Sequence, residues 1–394
     1  MKNFKQVKEL YDKYVLPTYT RQDLCLVKGD GVWVEDVEGK KYLDFFPGWA
    51  VSGIGHRHPR VIKRLGEQME RILHVSNNYY SDVQPLLARK IIDHSFPGRV
   101  FFANSGAEAN EGAIKLARKY GNPERYEIIA MENSFHGRTL ATLTATGQEK
   151  VKKGFSPLPE GFKHVPFNDI DAFRAAITGR TVAVIIEPIQ GEGGINVPDG
   201  KYMRSLGDIC VEKDMLLIVD EVQTGMGRTG EMFAYRHFGI KPDAMTLAKS
   251  LGGGLPIGVM VVSERLMDVL TPGSHASTFG GSPIVSAAAL GVFEAIEEDG
   301  LLENAVRMGE YLVSRLEDLK RSKGIIETIK GIGLMIGVKL KVEDASGVAE
   351  ECTKEGLLIN CTQKNVLRIM PPITVTREHV DMAVEKLSKS LERI

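Results

Sequence analysis

The chain has 394 residues and a nearly balanced charge, with 50 Lys and Arg against 51 Asp and Glu. This balance gives no electrostatic reason to expect a nucleic-acid or membrane-surface partner. With 43% hydrophobic and 26% charged residues, the composition is that of a soluble globular protein and excludes disordered and fibrous classes. At roughly 150 residues per domain, the length predicts about two or three domains.

The cysteines and the N-terminal segment both indicate an intracellular setting. Cys25, Cys210, Cys352 and Cys361 are widely spaced, which argues against a zinc knuckle or a disulfide framework. The N-terminus lacks the apolar core of a signal peptide, and no segment reaches the roughly 18 apolar residues that a membrane span requires. We therefore expect a cytoplasmic protein with reduced thiols and no membrane partner.

The first sixty residues predict one helix followed by a small antiparallel sheet. Apolar side chains recur at helical spacing from Phe4 to Tyr14, and Pro17 ends the pattern. Gly31 and Gly39 each follow an acidic residue between short apolar stretches. Because glycine accepts the positive φ of a tight turn, both positions indicate hairpins.

The middle of the chain predicts an α/β domain. Between about residues 61 and 285, helix-period stretches alternate with the apolar runs RVFFA, YEIIAM, TVAVIIE, MLLIVDE, DAMTLA and IGVMVVS. Continuous apolar strands are buried on both faces, which is typical of a mostly parallel central sheet flanked by helices. We expect a large domain over 61–285, with 1–60 and 286–394 joining in a smaller split α+β domain.

A glycine-containing turn before a helix predicts an anion site. The segment NSGAEANEGAIKLARKYG follows a strand, and Ser105 and Glu108 match a capping pattern. The backbone N–H groups of Ser105, Gly106 and Ala107 would lie at the positive end of the helix dipole, where phosphate binds readily. A plain capped helix is the alternative.

The strand in MLLIVDEVQTGMGRTG delivers a carboxylate to the edge of the sheet. In open α/β sheets, ligands bind beyond the carboxyl ends of the strands. Asp220 lies there with Glu221, and Gln223 adds a second polar group. A buried carboxylate requires a compensating partner, which is either a ligand cation or a structural arginine.

The same stretch contains a dinucleotide-binding pattern, G-x-G-x-x-G, at Gly225, Gly227 and Gly230. In a true fingerprint the first glycine closes the strand directly and a helix follows. Here the segment from Asp220 to Thr224 intervenes, so we reject the NAD-type oxidoreductase that the pattern would imply.

Lys249 follows the apolar run DAMTLA and precedes three glycines, Gly252 to Gly254. Most lysines are exposed to solvent and have no catalytic role, and this is the alternative interpretation of Lys249. A lysine at a strand end among small residues suits a desolvated amine that forms a Schiff base. An anion site, a strand-end carboxylate and such an amine are together what a pyridoxal 5'-phosphate (PLP) enzyme needs.

The chain resembles the class III, ornithine-type PLP aminotransferases nearly end to end. The resemblance is carried by YLDFFPGWAVSGIGHRHP, NSGAEANEGAIKLARKYG, SFHGRTLATLTATGQ, IIEPIQGEGGI, LIVDEVQTGMGRTG, TLAKSLGGGLPIG, STFGGSP and LRIMPPI. It implies fold type I of the PLP-dependent transferases. It also implies a homodimer with shared active sites.

The resemblance implies roles at the cofactor. Lys249 would hold the PLP aldehyde and move the substrate proton, and Asp220 would keep the pyridine nitrogen protonated. Gln223 would reach the phenolic oxygen, and Phe135 would stack on the ring. The other implied cofactor contacts lie at the phosphate turn and after Asp220: Ser105, Gly106, Ala107, Glu221 and Val222.

The resemblance also implies how substrates bind. Arg138, helped by Ser277, would take the donor's α-carboxylate, while Arg368 would take that of 2-oxoglutarate after separating from Glu192. Thr278 would reach the phosphate in the partner subunit. The alternative is that both arginines form ordinary surface ion pairs. Bidentate guanidinium recognition makes lysine a poor replacement at either position.

The implied activity is transfer of the terminal amine of N2-acetyl-L-ornithine to 2-oxoglutarate, giving N-acetyl-L-glutamate 5-semialdehyde and L-glutamate in arginine biosynthesis. Ornithine, succinylornithine, succinyldiaminopimelate or 4-aminobutyrate aminotransferase activity is the alternative within the class. A non-catalytic binding protein is the alternative outside it.

Two segments depart from the family pattern. VSNNYYSDVQ lacks the usual proline before its glutamine, and Gln363 stands where glycine is often found. Both departures bear on the donor's chain length and acyl group. His56, His58 and His136 lack a suitably spaced third ligand, so we expect no metal site.

Overall fold

A computed structural model describes residues 3–393 of the chain. Over that range it contains fifteen strands: β1 Leu26–Asp30, β2 Trp33–Asp36, β3 Lys41–Asp44, β4 Gly98–Ala103, β5 Glu127–Met131, β6 Phe162–Val165, β7 Thr181–Ile186, β8 Leu216–Asp220, β9 Ala244–Leu247, β10 Gly258–Ser263, β11 Ile326–Ile332, β12 Met335–Leu340, β13 Leu357–Leu358, β14 Asn360–Thr362 and β15 Val366–Ile369.

Twelve α-helices accompany these strands in the described residues: α1 Phe4–Tyr14, α2 Pro59–Met69, α3 Gln84–His94, α4 Gly106–Gly121, α5 Leu140–Ala145, α6 Glu149–Lys152, α7 Ile170–Ala176, α8 Gly200–Glu212, α9 Pro283–Glu298, α10 Leu301–Lys323, α11 Ser346–Lys354 and α12 Arg377–Leu391. Three short 3-10 helices cover Ala234–Phe238, Lys249–Gly252 and Glu264–Leu266. Between residues 3 and 393, no helix has the length and apolarity to cross a membrane.

The central sheet has seven strands in the order β4-β10-β9-β8-β7-β5-β6. Strands β9, β8, β7, β5 and β6 pair in parallel, so the predicted, mostly parallel sheet is confirmed. The structure adds one reversal, because β10 pairs antiparallel with both β4 and β9. It also adds the edge strand β6, whose sequence FKHV has no apolar run to announce it.

The core lies on both sides of this sheet because successive strand residues face opposite ways. All five residues of β8 are buried. Leu217 and Val219 join one apolar cluster, whereas Leu216 and Ile218 join the other. Helix α8 packs on the first side and α4 on the second, which fixes the sheet in a three-layer arrangement.

Two smaller sheets flank the core. One has the order β1-β2-β3-β13 and the other β11-β12-β15-β14. The β1–β2 pair confirms the predicted hairpin at Gly31. In the first sheet, β13 pairs in parallel with β3, with Leu357 opposite Leu43, so distant parts of the chain share a sheet. The division into 61–285 and a split domain from the flanking segments stays a prediction.

This topology brings the predicted site residues to one edge. Strand β4 runs parallel to β9 and β8, because β10 is antiparallel to both of its neighbours. The carboxyl ends of β4, β5, β7, β8 and β9 therefore share the same side of the sheet. Asp220 ends β8, and the chain segments that follow the other strands carry Ser105, Phe135, Glu192 and Lys249.

Candidate active site

A cavity of about 470 Å³ lies at this edge of the sheet. It has walls from five strand ends and from the first turn of α4. The lining residues that carry chemistry are Asn104, Ser105, Gly106, Ala107, Asn110, Phe135, His136, Arg138, Glu187, Glu192, Asp220, Val222, Gln223 and Lys249.

Asp220, at the last position of β8, is 4% exposed. Its Oδ2 accepts hydrogen bonds from Asn110 Nδ2 and His136 Nδ1, both at 2.8 Å, and its Oδ1 accepts one from the Val222 N–H at 3.0 Å. Three donors thus compensate the buried negative charge. Asn110 is itself fixed, because its Oδ1 accepts from Thr246 Oγ1 at 2.7 Å.

Sequence reasoning missed Asn110 and His136 as partners of Asp220. The spacing of Asn110 was a usable signal, since it lies one helical turn after Gly106 and therefore on the same face of α4. His136 was considered only as a metal ligand. Its Nε2 is buried without a hydrogen-bond partner among the described residues, and no metal-binding group of three His, Cys, Asp or Glu occurs in 3–393.

Lys249 begins the 3-10 helix that follows β9. Its backbone has φ of +45°, a left-handed conformation that is costly for a residue other than glycine and that often marks functional sites. Burial lowers the pKa of its amine, opposed by the negative charges of Glu192 and Asp220. A lowered pKa favours the uncharged amine, which is the nucleophilic form.

The first turn of α4 opens onto the cavity. Ser105 caps the helix, with its Oγ accepting from the Glu108 N–H at 3.2 Å. The N–H groups of Gly106 and Ala107 have no partner within the helix, as at any helix start. A Cβ at Gly106 would lie 2.8 Å from Val222 Cγ1, so only glycine leaves room between the turn and Val222.

The predicted capping box is only half formed. The Glu108 carboxylate accepts from the N–H and the Nδ2 of Asn104, each at 2.8 Å, and not from the N–H of Ser105. The Ser105 N–H therefore does not donate to the Glu108 side chain. This arrangement suits an anion at the turn.

Phe135 and Arg138 lie together on the segment after β5. The guanidinium of Arg138 is 5.5 Å from the centre of the Phe135 ring, a cation–π distance. The Phe135 N–H donates to Glu187 Oε2 at 3.0 Å, and the Gly191 N–H donates to Glu187 Oε1 at 3.3 Å. Burial raises the pKa of Glu187 to about 7. Sequence reasoning did not identify Glu187.

Arg368 and Glu192 form an ion pair beside the cavity. Arg368 is 1% exposed, and its Nη1 lies 2.6 Å from Glu192 Oε1. Burial acts to raise the pKa of Glu192, but the charge and hydrogen bond of Arg368 outweigh it, so this pKa is lowered. Glu192 borders the cavity whereas Arg368 does not. The carboxylate therefore covers the guanidinium.

The sequence matches the family described as Aminotransferase class-III over residues 15–391. The chain belongs to the class III aminotransferases. Individual relatives support the same assignment. The acetylornithine aminotransferase of Caldanaerobacter subterraneus subsp. tengcongensis is 50% identical over 386 residues, covering 97% of this chain and 98% of that one. That of Methanocaldococcus jannaschii is 48% identical over 390 residues, covering 98% of each.

Solved structures of class III aminotransferases have the same fold. The ornithine aminotransferase of Toxoplasma gondii matches with a TM-score of 0.95 at 33% identity, over 100% of this chain and 95% of that one. The acetylornithine aminotransferase of Elizabethkingia anophelis matches with a TM-score of 0.89 at 31% identity, over 100% of both chains. The predicted fold type is thereby confirmed.

Class III aminotransferases use PLP, and the Toxoplasma gondii structure holds it at partial occupancy in the active site. The residues of the present cavity fit this group. A helix start suits its phosphate, Asp220 suits its ring nitrogen, and Lys249 suits its aldehyde. Gln223 Oε1 is buried without a hydrogen-bond partner in the described residues, as expected of a polar group that a ligand completes.

Four predicted site residues do not line this aminotransferase cavity, and one of them is Arg368, which lies behind Glu192. The Glu221 carboxylate accepts instead from the Tyr235 N–H at 2.7 Å and from Thr224 Oγ1. Ser277 Oγ accepts from Asn104 Nδ2 at 3.2 Å, and Asn104 lies between Ser277 and the cavity. Thr278 is exposed on the surface of the chain.

The rejected dinucleotide pattern forms a series of turns. Gly227 and Gly230 have φ of +82° and +91°, and the segment leads into the five-residue 3-10 helix Ala234–Phe238. A dinucleotide site needs a longer helix directly after the glycines. The class III assignment and this geometry both exclude the oxidoreductase alternative.

Proposed function

We propose that the chain is an aminotransferase that moves the terminal amino group of N2-acetyl-L-ornithine to 2-oxoglutarate. The products are N-acetyl-L-glutamate 5-semialdehyde and L-glutamate, and the reaction belongs to arginine biosynthesis. Relatives named acetylornithine aminotransferase from five organisms are 46% to 50% identical over nearly the whole chain. The observation that carries the proposal is a single cavity lined by Lys249, Asp220 and Glu192, with Glu192 covering Arg368.

Bound PLP supplies an aldehyde that takes up an amino group and a ring that withdraws electrons from the substrate carbon. Lys249 would hold the cofactor, and its lowered pKa favours an uncharged amine that can accept the substrate's proton. Asp220 keeps a proton on the ring nitrogen, with His136 and Asn110 fixing its carboxylate. Phe135, which lines the cavity, would pack against the ring.

The two arginines suit two kinds of substrate in one pocket. Arg138 is exposed at the cavity wall, where it binds the α-carboxylate of an ω-amine donor. Arg368 binds a carboxylate of 2-oxoglutarate only after Glu192 moves away. With Glu192 in place the pocket presents a single free guanidinium, which favours a donor whose reacting amine lies far from its carboxylate.

We further propose a cytoplasmic homodimer. Helix α1 has no buried residue in the single chain, and Tyr14, Tyr80 and Phe279 are exposed by 69%, 105% and 61%. Exposed apolar side chains of this extent favour a protein interface. In such a dimer Thr278, next to Phe279, would reach the phosphate site of the partner, as the family resemblance implies.

Succinylornithine is the second candidate donor. A Pseudomonas aeruginosa relative named succinylornithine transaminase/acetylornithine aminotransferase is 42% identical over 391 residues. Both donors carry an acylated α-amine, so the same guanidinium and the same terminal amine would serve.

The test is a series of single half-reactions followed through the absorbance of the PLP-loaded enzyme. Acetylornithine, succinylornithine, ornithine, succinyldiaminopimelate and 4-aminobutyrate are compared at equal concentration. We expect acetylornithine to give the highest kcat/KM. A higher value for ornithine or 4-aminobutyrate would contradict the proposal.

A further inference from the structure

One hairpin contacts both members of the Glu192–Arg368 pair. Strands β14 and β15 pair antiparallel, with Asn360 opposite Arg368. The end of β14 and the turn that follows it contact the main chain at Glu192. The hairpin therefore determines where the guanidinium and the covering carboxylate lie relative to each other.

Asn360 holds the guanidinium from one side. Its Oδ1 accepts from Arg368 Nε at 2.9 Å and from Nη2 at 2.6 Å, while Nη1 faces Glu192. The ring of Phe46 lies 4.8 Å from the guanidinium carbon. A guanidinium has five N–H groups, of which Asn360 takes one on each of two nitrogens, and Nη1 donates a third to the Gly191 carbonyl oxygen at 3.4 Å. Once Glu192 leaves, one N–H on Nη1 and one on Nη2 remain for a substrate carboxylate.

The neutrality of Asn360 matters for this arrangement. An amide oxygen fixes the orientation of the guanidinium without cancelling its charge, whereas a second carboxylate would compete with the substrate for the cation. The only carboxylate paired with Arg368 among the described residues is that of Glu192.

The turn of the hairpin holds Glu192 by its backbone. The Glu192 carbonyl oxygen accepts from Thr362 Oγ1 at 3.1 Å and from Gln363 Nε2 at 2.9 Å. The loop that carries Glu192 is also closed at its base, where Gln190 and Asn196 form an antiparallel bridge. The main chain is thus fixed at both places, and the Glu192 side chain is left as the part that can swing.

We propose that Asn360, Thr362 and Gln363 are positioning residues that set which substrate each half-reaction accepts. Asn360 orients Arg368 for 2-oxoglutarate, and Thr362 with Gln363 keeps Glu192 over Arg368 while the ω-amine donor reacts. This inference rests on the proposed function of the cavity. It assigns a role to Gln363, the residue that departs from the family pattern.

Gln363 makes its contact from a strained position. Its φ is +47° and that of Lys364 is +66°, a region that glycine adopts freely. Replacing Gln363 by Gly removes the contact with Glu192 while suiting the turn. Replacing Lys364 by Gly relaxes the same turn without touching Glu192, so Lys364→Gly is a matched control.

The first experiment uses PLP-loaded Asn360→Ala. We expect its kcat/KM in the half-reactions with glutamate and 2-oxoglutarate to fall by about tenfold or more, with the acetylornithine half-reaction within about twofold of the unmodified enzyme. Equal losses in all half-reactions, or an unchanged glutamate half-reaction, would overturn the role of Asn360.

The second experiment uses the double variant Thr362→Val, Gln363→Gly and does not depend on the first. Here the expected split is opposite. The acetylornithine half-reaction should weaken by about fivefold or more, because an uncovered Arg368 captures the donor's carboxylate unproductively, while glutamate reacts as before. If the double variant behaves like Lys364→Gly in both half-reactions, the turn has no such role.

The glutamate half-reaction separates this inference from the proposed function. It requires no particular ω-amine. If the unmodified enzyme rejects acetylornithine but reacts with glutamate, the donor assignment fails, and the hairpin is judged on glutamate against whichever ω-amine reacts.

Discussion

Two of the carboxylates that border the cavity, Asp220 and Glu192, are held in opposite ways. Asp220 accepts from three donors, and those on Asn110 and His136 belong to buried side chains. Glu192 has one ion pair with Arg368, and its side chain is 25% exposed. The first arrangement is suited to staying fixed and the second to changing, so the proposed cofactor end of the cavity is rigid and its proposed substrate end is adjustable.

The largest expected effect concerns the rigid end. Lys249→Ala should abolish turnover, because no other amine in this cavity is placed to hold the aldehyde or move the proton. Some cofactor should remain bound through the helix start and the Asp220 side. Steady-state assays and absorbance spectra check both points. Lys389→Ala, on the exposed face of α12, is the control, and near-normal turnover of Lys249→Ala would refute the assignment.

Asp220→Asn should come next in size. A neutral amide cannot keep the ring nitrogen protonated, so we expect kcat to fall by more than tenfold, or about 1.4 kcal/mol in activation free energy. The circular dichroism spectrum should be unchanged, since the side chains are similar in shape. Asp318→Asn, at an exposed position of α10, is the matched control. A smaller loss would mean that the three donors serve packing alone.

Arg368→Ala tests the adjustable end. The half-reaction with 2-oxoglutarate should lose about tenfold or more in kcat/KM, because a bidentate carboxylate contact is gone. The half-reaction with acetylornithine should lose less. Stopped-flow spectra of both half-reactions provide the comparison, with the exposed Arg321→Ala as control. Equal damage would count against a movable Glu192.

The smallest effect concerns Glu221, whose pKa burial raises from 4.5 to about 7. The folded state binds this proton more tightly than the unfolded state, so the stability it contributes is complete below pH 4.5 and is lost as the pH rises to about 7. Urea unfolding of Glu221→Gln should therefore show a shallower fall in stability over this window, by up to about 1.4 kcal/mol per pH unit. An unchanged slope would contradict the shift.

Local patterns predicted much of this molecule. The apolar runs of β4, β5, β7, β8 and β9 and the capped start of α4 are encoded within short segments, so their types and ends were predictable. Since parallel strands align their carboxyl ends, the meeting of Asp220 with Lys249 followed from topology. Gly106 was predictable from the turn before α4, whereas Val222 was predictable as a site residue only through the family resemblance.

Other features depend on distant contacts that no short segment encodes. The antiparallel direction of β10 leaves no mark in IGVMVVS, which reads like its parallel neighbours. His136 meets Asp220 across 84 positions of sequence, and Glu187 meets the Phe135 N–H across 52. Gln363 contacts the Glu192 carbonyl oxygen across 171 positions of sequence. Such partnerships become visible only when the sheet is assembled.

The pairing of β13 with β3 has a consequence for folding during synthesis on the ribosome. Leu43 leaves the exit tunnel early, but Leu357, opposite it in the finished sheet, follows more than 300 residues later. Until then one side of β3 has open backbone groups that can attach to another chain. Nascent chains that stall before β13 should therefore be especially prone to aggregation. Pairing of this short strand with β3 completes the sheet.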